Sequence, residues 1–173
     1  GRICANNIVN NNSSTYNGAI NTAIVKLFDL TVGTTGMAAK HLKSAAMPYL
    51  ISTTRSSSHA SYYPNATSSS IKGIFGNDGK ILGAQIVGYE SVDKNIDVLS
   101  VACQKGMTIY DLKELEHSYA PPYSSAKSPI NMLGFVGENI LKGLVKTISW
   151  SDIGEKNEDV FILDVREIFE VKM

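Results

Sequence analysis

Residues 71–88 read IKGIFGNDGKILGAQIVG, and this stretch decides the fold. Two runs rich in β-branched and other apolar residues, 71–75 and 80–88, flank the turn-forming sequence at 77–79. Apolar runs that are separated by a short turn containing glycine are typical of a β-hairpin. The sequence therefore predicts two antiparallel strands, around which the other elements can be arranged.

The residues before the hairpin predict further strands and one short helix. Clustered β-branched and apolar residues between Thr22 and Thr35 favour two short strands or one bent strand. Residues 38–46 predict a short helix that ends before Pro48, and residues 48–55 have the composition of a strand. The serine-rich stretch 58–70 is expected to be a loop. A short opening helix and a surface connection over 10–18 precede these elements.

The residues after the hairpin predict three helices. Ser91 is placed to cap the first, Gly106 to end it, and Thr108 with Asp111 has the spacing of a capping box that starts the second, which runs through Leu115. Ser128 followed by proline starts the third helix, in which Gly134 and Gly137 permit close packing. The apolar positions expected to face the core are Val92, Ile96, Leu99 and Cys103 in the first helix, and Ile130, Leu133, Val136, Ile140 and Leu144 in the third.

This order of elements predicts an α+β fold, an antiparallel sheet flanked by helices. Sixteen basic and sixteen acidic residues give a formal net charge of zero, which argues against a nucleic acid or an anionic membrane as partner. No apolar run approaches the roughly 20 residues that cross a bilayer. We expect a cytoplasmic protein with two reduced cysteines, Cys103 acting as a small buried hydrophobe and Cys4 similarly.

Several kinds of catalytic site are not supported by the sequence. His41, His59 and His117 have no second histidine or cysteine at the spacing of metal ligands, so no metal site is predicted. No G-x-S-x-G motif is present. The glycines of 73–79 lie within the predicted hairpin and precede no helix that could receive a phosphate, so no dinucleotide fingerprint is predicted.

The most unusual local sequence is YAPPYS at 119–124. Its two prolines fix φ and remove two main-chain donors, so the segment is a rigid presenter of two phenols. The structural alternative is a stiff loop between two helices, with tyrosines that cover apolar surface.

The residues carry a family resemblance. The sequences GKILGAQIVG at 79–88, DKNIDV at 93–98 and YAPPYSSAKSPINM at 119–132 resemble the C-terminal domain of CoA-disulfide reductases and of related NADH oxidases and persulfide reductases. The resemblance covers about residues 1–145. It implies the FAD/NAD-linked reductase dimerisation domain over 18–147, preceded over 1–17 by the end of an FAD domain and a linker.

The resemblance also implies a function for two tyrosines. The family's active-site tyrosines correspond to Tyr62 and Tyr119, which are expected to present hydroxyl groups to the partner subunit's site in a homodimer. The whole protein that contains this domain would use FAD and NAD(P)H to reduce CoA disulfide or CoA persulfide. The present chain is expected to bind neither cofactor and to be inactive alone. Glutathione reductase-like relatives have HisProThr where residues 117–119 are HisSerTyr, so His117 is not expected to be a catalytic base.

The tail, residues 148–173, is expected to be a linker and the truncated start of a rhodanese domain. Asp164, Arg166 and Glu170 match that domain's early D-x-R-x-x-x-E pattern. Two alternatives stay open for the chain as a whole. One is an NADH oxidase of the same branch that reduces oxygen or peroxide, and the other is a non-enzymatic dimerising module.

Overall fold

The computed structural model describes residues 1–148, 153, 161 and 163–168 of the chain. The elements follow the predicted order and confirm the α+β class. Their bounds are α1 Arg2–Val9, β1 Ala23–Leu27, β2 Leu30–Gly36, α2 Ala39–Ser44, β3 Leu50–Ser57, β4 Ser68–Phe75, β5 Ile81–Gly88, α3 Val92–Lys105, α4 Ile109–Glu114 and α5 Pro129–Leu141.

The strands form one antiparallel sheet in the order β1-β2-β5-β4-β3. The predicted hairpin is β4 and β5, and it supplies two of the three inner strands. Its turn closes through a hydrogen bond from Gly76 N–H to the Lys80 carbonyl at 2.9 Å. Gly79 has a φ of +81°, a conformation that glycine adopts without steric cost.

The core lies between one face of the sheet and two helices. Helix α3 packs on β2 and β5, and α5 packs on β3 and β4. The sheet approaches the helices closely: a Cβ at Gly33 would lie 3.1 Å from Ile96 Cβ, and one at Gly73 would lie 2.9 Å from Leu133 Cδ2. The fully buried residues of this layer include Ile71, Phe75, Ile86, Leu99 and Ile130.

Helices α4 and α5 begin as predicted. The Thr108 side chain accepts from Asp111 N–H while the Asp111 carboxylate accepts from Thr108 N–H, and Ser128 and Asn131 form the same reciprocal pair. Gly134 brings α5 against α4, because a Cβ there would lie 2.8 Å from both the Ile109 carbonyl oxygen and the Lys113 nitrogen.

Three local predictions about these elements are wrong. Ser91 stands at the N-cap of α3, but its φ of +59° is left-handed and its side chain makes no capping bond. Leu144 lies beyond the end of α5 and is exposed, because the helix stops at Leu141. Strand β4 begins at Ser68, within the stretch predicted to be a loop, because pairing with Ser57 overrides the low β propensity of serine.

The two cysteines differ in environment. Cys103 packs against the core cluster, as predicted, and burial raises its pKa to about 11. Cys4 is exposed, which contradicts the prediction that it resembles Cys103. The short helix α1 that carries Cys4 buries none of its residues against the rest of the described chain.

Much of the predicted tail lies outside the described residues, including Glu170 of the D-x-R-x-x-x-E pattern. In the described part, Arg166 donates to the Asp164 carboxylate at 2.6 and 2.9 Å. Across the described residues, no helix combines the length and apolar character needed to span a membrane.

Candidate functional site

The two predicted site residues, Tyr62 and Tyr119, lie side by side. Their hydroxyl oxygens are 3.3 Å apart, although 57 positions separate them in the chain. Tyr62 belongs to the loop 58–67 between β3 and β4, and Tyr119 belongs to the connection 115–128 between α4 and α5. Both phenols are exposed, with 76% and 50% of their surfaces accessible. We refer to these two residues as the tyrosine pair.

Main-chain hydrogen bonds join the two loops directly behind the pair. The Ala60 N–H is shared between the carbonyl oxygens of Pro121, at 3.3 Å, and Ser124, at 3.1 Å. The second loop folds on itself at the same point, because the amides of Tyr123 and Ser124 both donate to the Ala120 carbonyl. Ala60 and Ser124 are buried, so a closed polar junction supports the exposed phenols.

A side-chain network surrounds the base of the 58–67 loop. His59 is buried, with Nδ1 3.1 Å from Ser58 Oγ and Nε2 3.1 Å from the Pro64 carbonyl oxygen. Ser58 Oγ also lies 3.2 Å from Glu90 Oε2 and accepts from Thr67 N–H at 3.1 Å. The loop is therefore closed at its ends and supported at its centre.

Helix α3 supports the second loop. Lys94 Nζ donates to the main-chain carbonyl of Tyr123 at 2.9 Å. Glu90, which contacts the first loop, precedes this helix by two positions. The start of α3 is thus the common support of both tyrosine loops.

The electrostatics favour the protonated form of Tyr62. The hydrogen bond to Tyr119 raises the pKa of Tyr62 above its usual value, with a smaller contribution from desolvation. A raised phenol pKa is expected when that phenol donates the shared hydrogen bond, because ionisation would remove the donor. Nearby, partial burial and the Lys94 charge lower the pKa of His117, which favours its neutral form.

This arrangement can supply a hydrogen-bond donor to an anion. A hydroxyl has one proton and two lone pairs, so a pair in which Tyr62 donates leaves the Tyr119 proton free. At 3.3 Å the shared bond is longer than a usual O–H···O contact and therefore weak. A charged acceptor placed between the phenols would form stronger bonds than the two hydroxyls form with each other.

The glycines of the hairpin are covered by neighbouring atoms. Gly73 is covered by the Leu133 side chain, and a Cβ at Gly79 would contact Ile109 at 3.3 Å. These glycines serve close packing and a turn, so the hairpin leaves no open cradle for a phosphate group. Among the described residues there is also no cluster of three or more His, Cys, Asp or Glu that could hold a metal ion.

Sequence reasoning singled out the two tyrosines and missed their supports. It weighed His59 only as a metal ligand and gave Ser58, Glu90 and Lys94 no role. Glu90 stands 32 positions from Ser58, and Lys94 stands 29 positions from Tyr123, so no local spacing relates them. Only the packing of both loops against the start of α3 brings these residues together.

Comparison with known proteins places this geometry in a family. Residues 22–128 match the model of the pyridine nucleotide-disulphide oxidoreductase dimerisation domain, and this range contains both tyrosines and every residue of their supports. The chain belongs to this family. Its members share the five-stranded sheet and the helices described above.

Curated relatives agree with that placement. The chain is 36% identical over 139 residues to a coenzyme A disulfide reductase of Staphylococcus haemolyticus, covering 80% of this chain and 31% of the relative. It is 35% identical over 144 residues to an NADH oxidase of Methanocaldococcus jannaschii, covering 83% of this chain and 31% of that relative. The chain therefore spans about a third of the length of these family members.

Solved structures of family members are also similar. The reduced CoADR-RHD of Bacillus anthracis has 47% identity and a TM-score of 0.81, with 85% of this chain and 27% of that chain covered. A NAD-dependent persulfide reductase from A. fulgidus has 39% identity and a TM-score of 0.86, with coverages of 96% and 30%. These comparisons confirm the predicted family and fold, while the roles of Tyr62 and Tyr119 stay a prediction.

Proposed function

We propose that the chain is the dimerisation part of an FAD-dependent NAD(P)H:disulfide oxidoreductase that acts in the cytoplasm on CoA disulfide or a CoA persulfide. In this proposal Tyr62 and Tyr119 contribute their hydroxyl groups to the active site of the partner subunit. The acceptor class is supported by relatives that are named coenzyme A disulfide reductase and persulfide reductase. The flavin and nicotinamide sites are assigned to other parts of the whole protein.

The observation that carries the proposal is the tyrosine pair itself. Two exposed phenols converge within 3.3 Å on a buried, hydrogen-bonded junction, which is a costly arrangement for loops without a ligand to meet. Cleavage of a disulfide releases a thiolate, and a protonated phenol can stabilise that charge by donating a hydrogen bond. The pair would position and solvate the leaving thiolate without forming a bond to it.

The surface around the pair supports contact with a second subunit. Tyr63 and Tyr123 are also exposed, so four tyrosines lie on two adjacent loops. Tyrosine is enriched at the centres of protein interfaces, where its ring is buried and its hydroxyl finds a partner. A homodimer in which these loops face the partner would place the phenols next to chemistry that another copy supplies.

The full-length protein allows a direct test. Replacing Tyr62 and Tyr119 together by phenylalanine should lower turnover of CoA disulfide or CoA persulfide by roughly 10–1,000-fold, as loss of hydrogen-bond donors to a developing charge does, with the flavin still bound. Tyr16→Phe, an exposed tyrosine outside both loops, is the matched control. Unchanged turnover in the double variant would rule out the assigned role.

The oligomeric state tests the dimer separately. Sedimentation equilibrium of this chain over a range of concentrations is expected to show a dimer. A strict monomer at high concentration would show that this chain does not dimerise by itself. The proposal of a site shared between two subunits would then lose the support of a dimer formed by this chain.

An NADH oxidase of the same branch is the second candidate function. The observation that favours it is the similarity to the Methanocaldococcus jannaschii NADH oxidase. Assays of the full-length protein with NADH and NADPH against CoA disulfide, CoA persulfide and oxygen separate the two functions. Preferential turnover of oxygen would replace the first proposal by the second.

The tail gives a further expectation for the whole protein. We propose that residues 148–173 lead into a rhodanese domain, on the resemblance of the D-x-R-x-x-x-E pattern. The described Asp164 and Arg166 are exposed and paired with each other. Sulfurtransferase activity of the full-length protein tests this assignment, and its absence would count against the domain.

A further inference from the structure

His59 is a buried histidine with a partner at each ring nitrogen. Its Nε2 lies 3.1 Å from the Pro64 carbonyl oxygen, and its Nδ1 lies 3.1 Å from Ser58 Oγ. A carbonyl oxygen can only accept, so Nε2 carries a proton and donates to Pro64. Only 7% of the residue is exposed, although it belongs to a surface loop.

These two bonds support the turn that carries Tyr62. The ring spans from Ser58, at the start of the loop, to Pro64, two positions after Tyr62. Inside this span, Tyr63 N–H donates to the Ala60 carbonyl at 2.9 Å. The Tyr63 ring meets the His59 ring edge to face, with centroids 5.8 Å apart. His59 therefore contacts Tyr63 and Pro64, the two residues that follow Tyr62.

The other side of the network joins His59 to the rest of the domain. Ser58 N–H donates to the Thr67 carbonyl at 2.7 Å, which closes the loop against β4. Ser58 Oγ lies within hydrogen-bond distance of Glu90 Oε2, and His59 Nδ1 lies 3.8 Å from the same oxygen. Because Glu90 lies next to α3, this contact connects the imidazole to a part of the domain outside its own loop.

We propose that His59 is a positioning residue, whose Nε2 hydrogen bond to the Pro64 carbonyl sets the place of the Tyr62 hydroxyl against that of Tyr119. The value of this placement for catalysis rests on the proposed function, whereas the placement itself concerns only this chain. The hydroxyl stands at the far end of a rigid ring, so a small rotation of the turn moves it further than the main chain. The hydroxyl oxygens of Tyr62 and Tyr119 are 3.3 Å apart, at the long end of the hydrogen-bond range, so a further separation breaks their hydrogen bond.

The test measures the coupling between the two phenols in this chain by NMR. With tyrosine labelled at the ring carbon Cζ, the Tyr62 signal is assigned by Tyr62→Phe and titrated with pH. Tyr119→Phe should lower the pKa of Tyr62 in the parent chain, because it removes the hydrogen bond. In His59→Leu, the same Tyr119→Phe change should leave the Tyr62 pKa where it was. Coupling that persists in a folded His59→Leu variant overturns the proposal.

Two conservative variants provide a second test, and they decide the matter where His59→Leu does not fold. Glutamine places an amide N–H near the position of the imidazole Nε2, whereas asparagine is too short to reach Pro64 and imitates only Nδ1. His59→Gln should keep the coupling and His59→Asn should lose it. Equal behaviour of the two variants contradicts the proposed contact.

A stability control separates positioning from loss of fold. Leu42→Ala removes a fully buried side chain of α2, which is outside both tyrosine loops and is not a member of the main core cluster, and it should lower the stability of the domain. It should leave the coupling intact, and loss of coupling there would reduce His59 to a merely structural role. Normal turnover of the full-length Tyr62→Phe and Tyr119→Phe double variant would instead sink the proposed function and leave the positioning by His59 in place.

Discussion

Lys94 Nζ donates a hydrogen bond to the main-chain carbonyl of Tyr123 at 2.9 Å, which ties the first turn of α3 to the loop that carries Tyr119. The contact is exposed, so water can replace it at moderate cost. The amides of Tyr123 and Ser124 both donate to Ala120 in this loop. Their hydrogen exchange therefore reports how firmly the loop is held.

Lys94→Met is expected to increase the exchange rate of those two amides about fivefold, since an exposed hydrogen bond of this kind contributes about 1 kcal/mol. Hydrogen exchange followed by NMR provides the measurement. Lys40→Met, which changes an exposed lysine on α2, is the control and should leave both amides unchanged. An unaltered rate in Lys94→Met would mean that the main-chain junction alone holds the loop.

His117 should make the stability of the domain depend on pH. Burial lowers its pKa in the folded chain, and the Lys94 charge lowers it further. The unfolded chain therefore binds a proton more readily, so the stability is complete above the ordinary histidine pKa of about 6.5 and decreases as the pH falls through it. Urea unfolding at pH 7.5 and pH 5.5 should show this loss in the parent chain and a smaller loss in His117→Gln. His41→Gln, at an exposed histidine, should keep the parent's dependence.

Cys103 should react slowly with thiol reagents. A pKa of about 11 leaves roughly one thiol in a thousand ionised at pH 8, against about a quarter of an unperturbed thiol. Alkylation in the Cys4→Ser variant, where only Cys103 remains, is expected to be at least roughly 100-fold slower than that of a free exposed thiol. The Cys103→Ser variant reports the exposed Cys4 under the same conditions. Equal rates in the two variants would contradict the buried environment of Cys103.

Gly134→Ala should destabilise the domain although alanine favours helices. The helix propensity gain is about 1 kcal/mol. A Cβ at this position would lie 2.8 Å from two main-chain atoms of α4, which cannot rotate away as a side chain can, and overpacking of this kind costs about 1–3 kcal/mol. We expect a net loss of about 1 kcal/mol in urea unfolding. Asn139→Ala, on the exposed side of α5, should cause no such loss.

The parts of the fold that sequence predicts correctly are those with local causes. The hairpin follows from Asn77, Asp78 and Gly79 between apolar runs, and the starts of α4 and α5 follow from capping residues at fixed spacing. Ser91 does not cap α3, because it has a left-handed conformation in the connection between β5 and α3. That conformation depends on how the strand meets the helix and has no signal in the neighbouring residues.

The same distinction between local and non-local causes applies to the candidate site. Tyr62 and Tyr119 were recognised by resemblance, and the prolines of the second loop signalled its rigidity. Their contact could not be derived from the sequence. The two loops are far apart along the chain, and they meet only because the sheet and α3 pack together. The network of Ser58, His59 and Glu90 arises in the same way, from residues whose polar character alone is typical of any surface loop.

The Ala60 amide joins the two tyrosine loops without using a side chain. Its hydrogen bonds to the carbonyls of Pro121 and Ser124 are available to any residue at position 60 except proline. The distance between the loops is therefore set by main-chain atoms, whereas the exposed side chains at the loop tips take no part in these bonds. During evolution the phenols could therefore be exchanged for other groups, which would alter what the surface recognises while the spacing of the two loops stays the same.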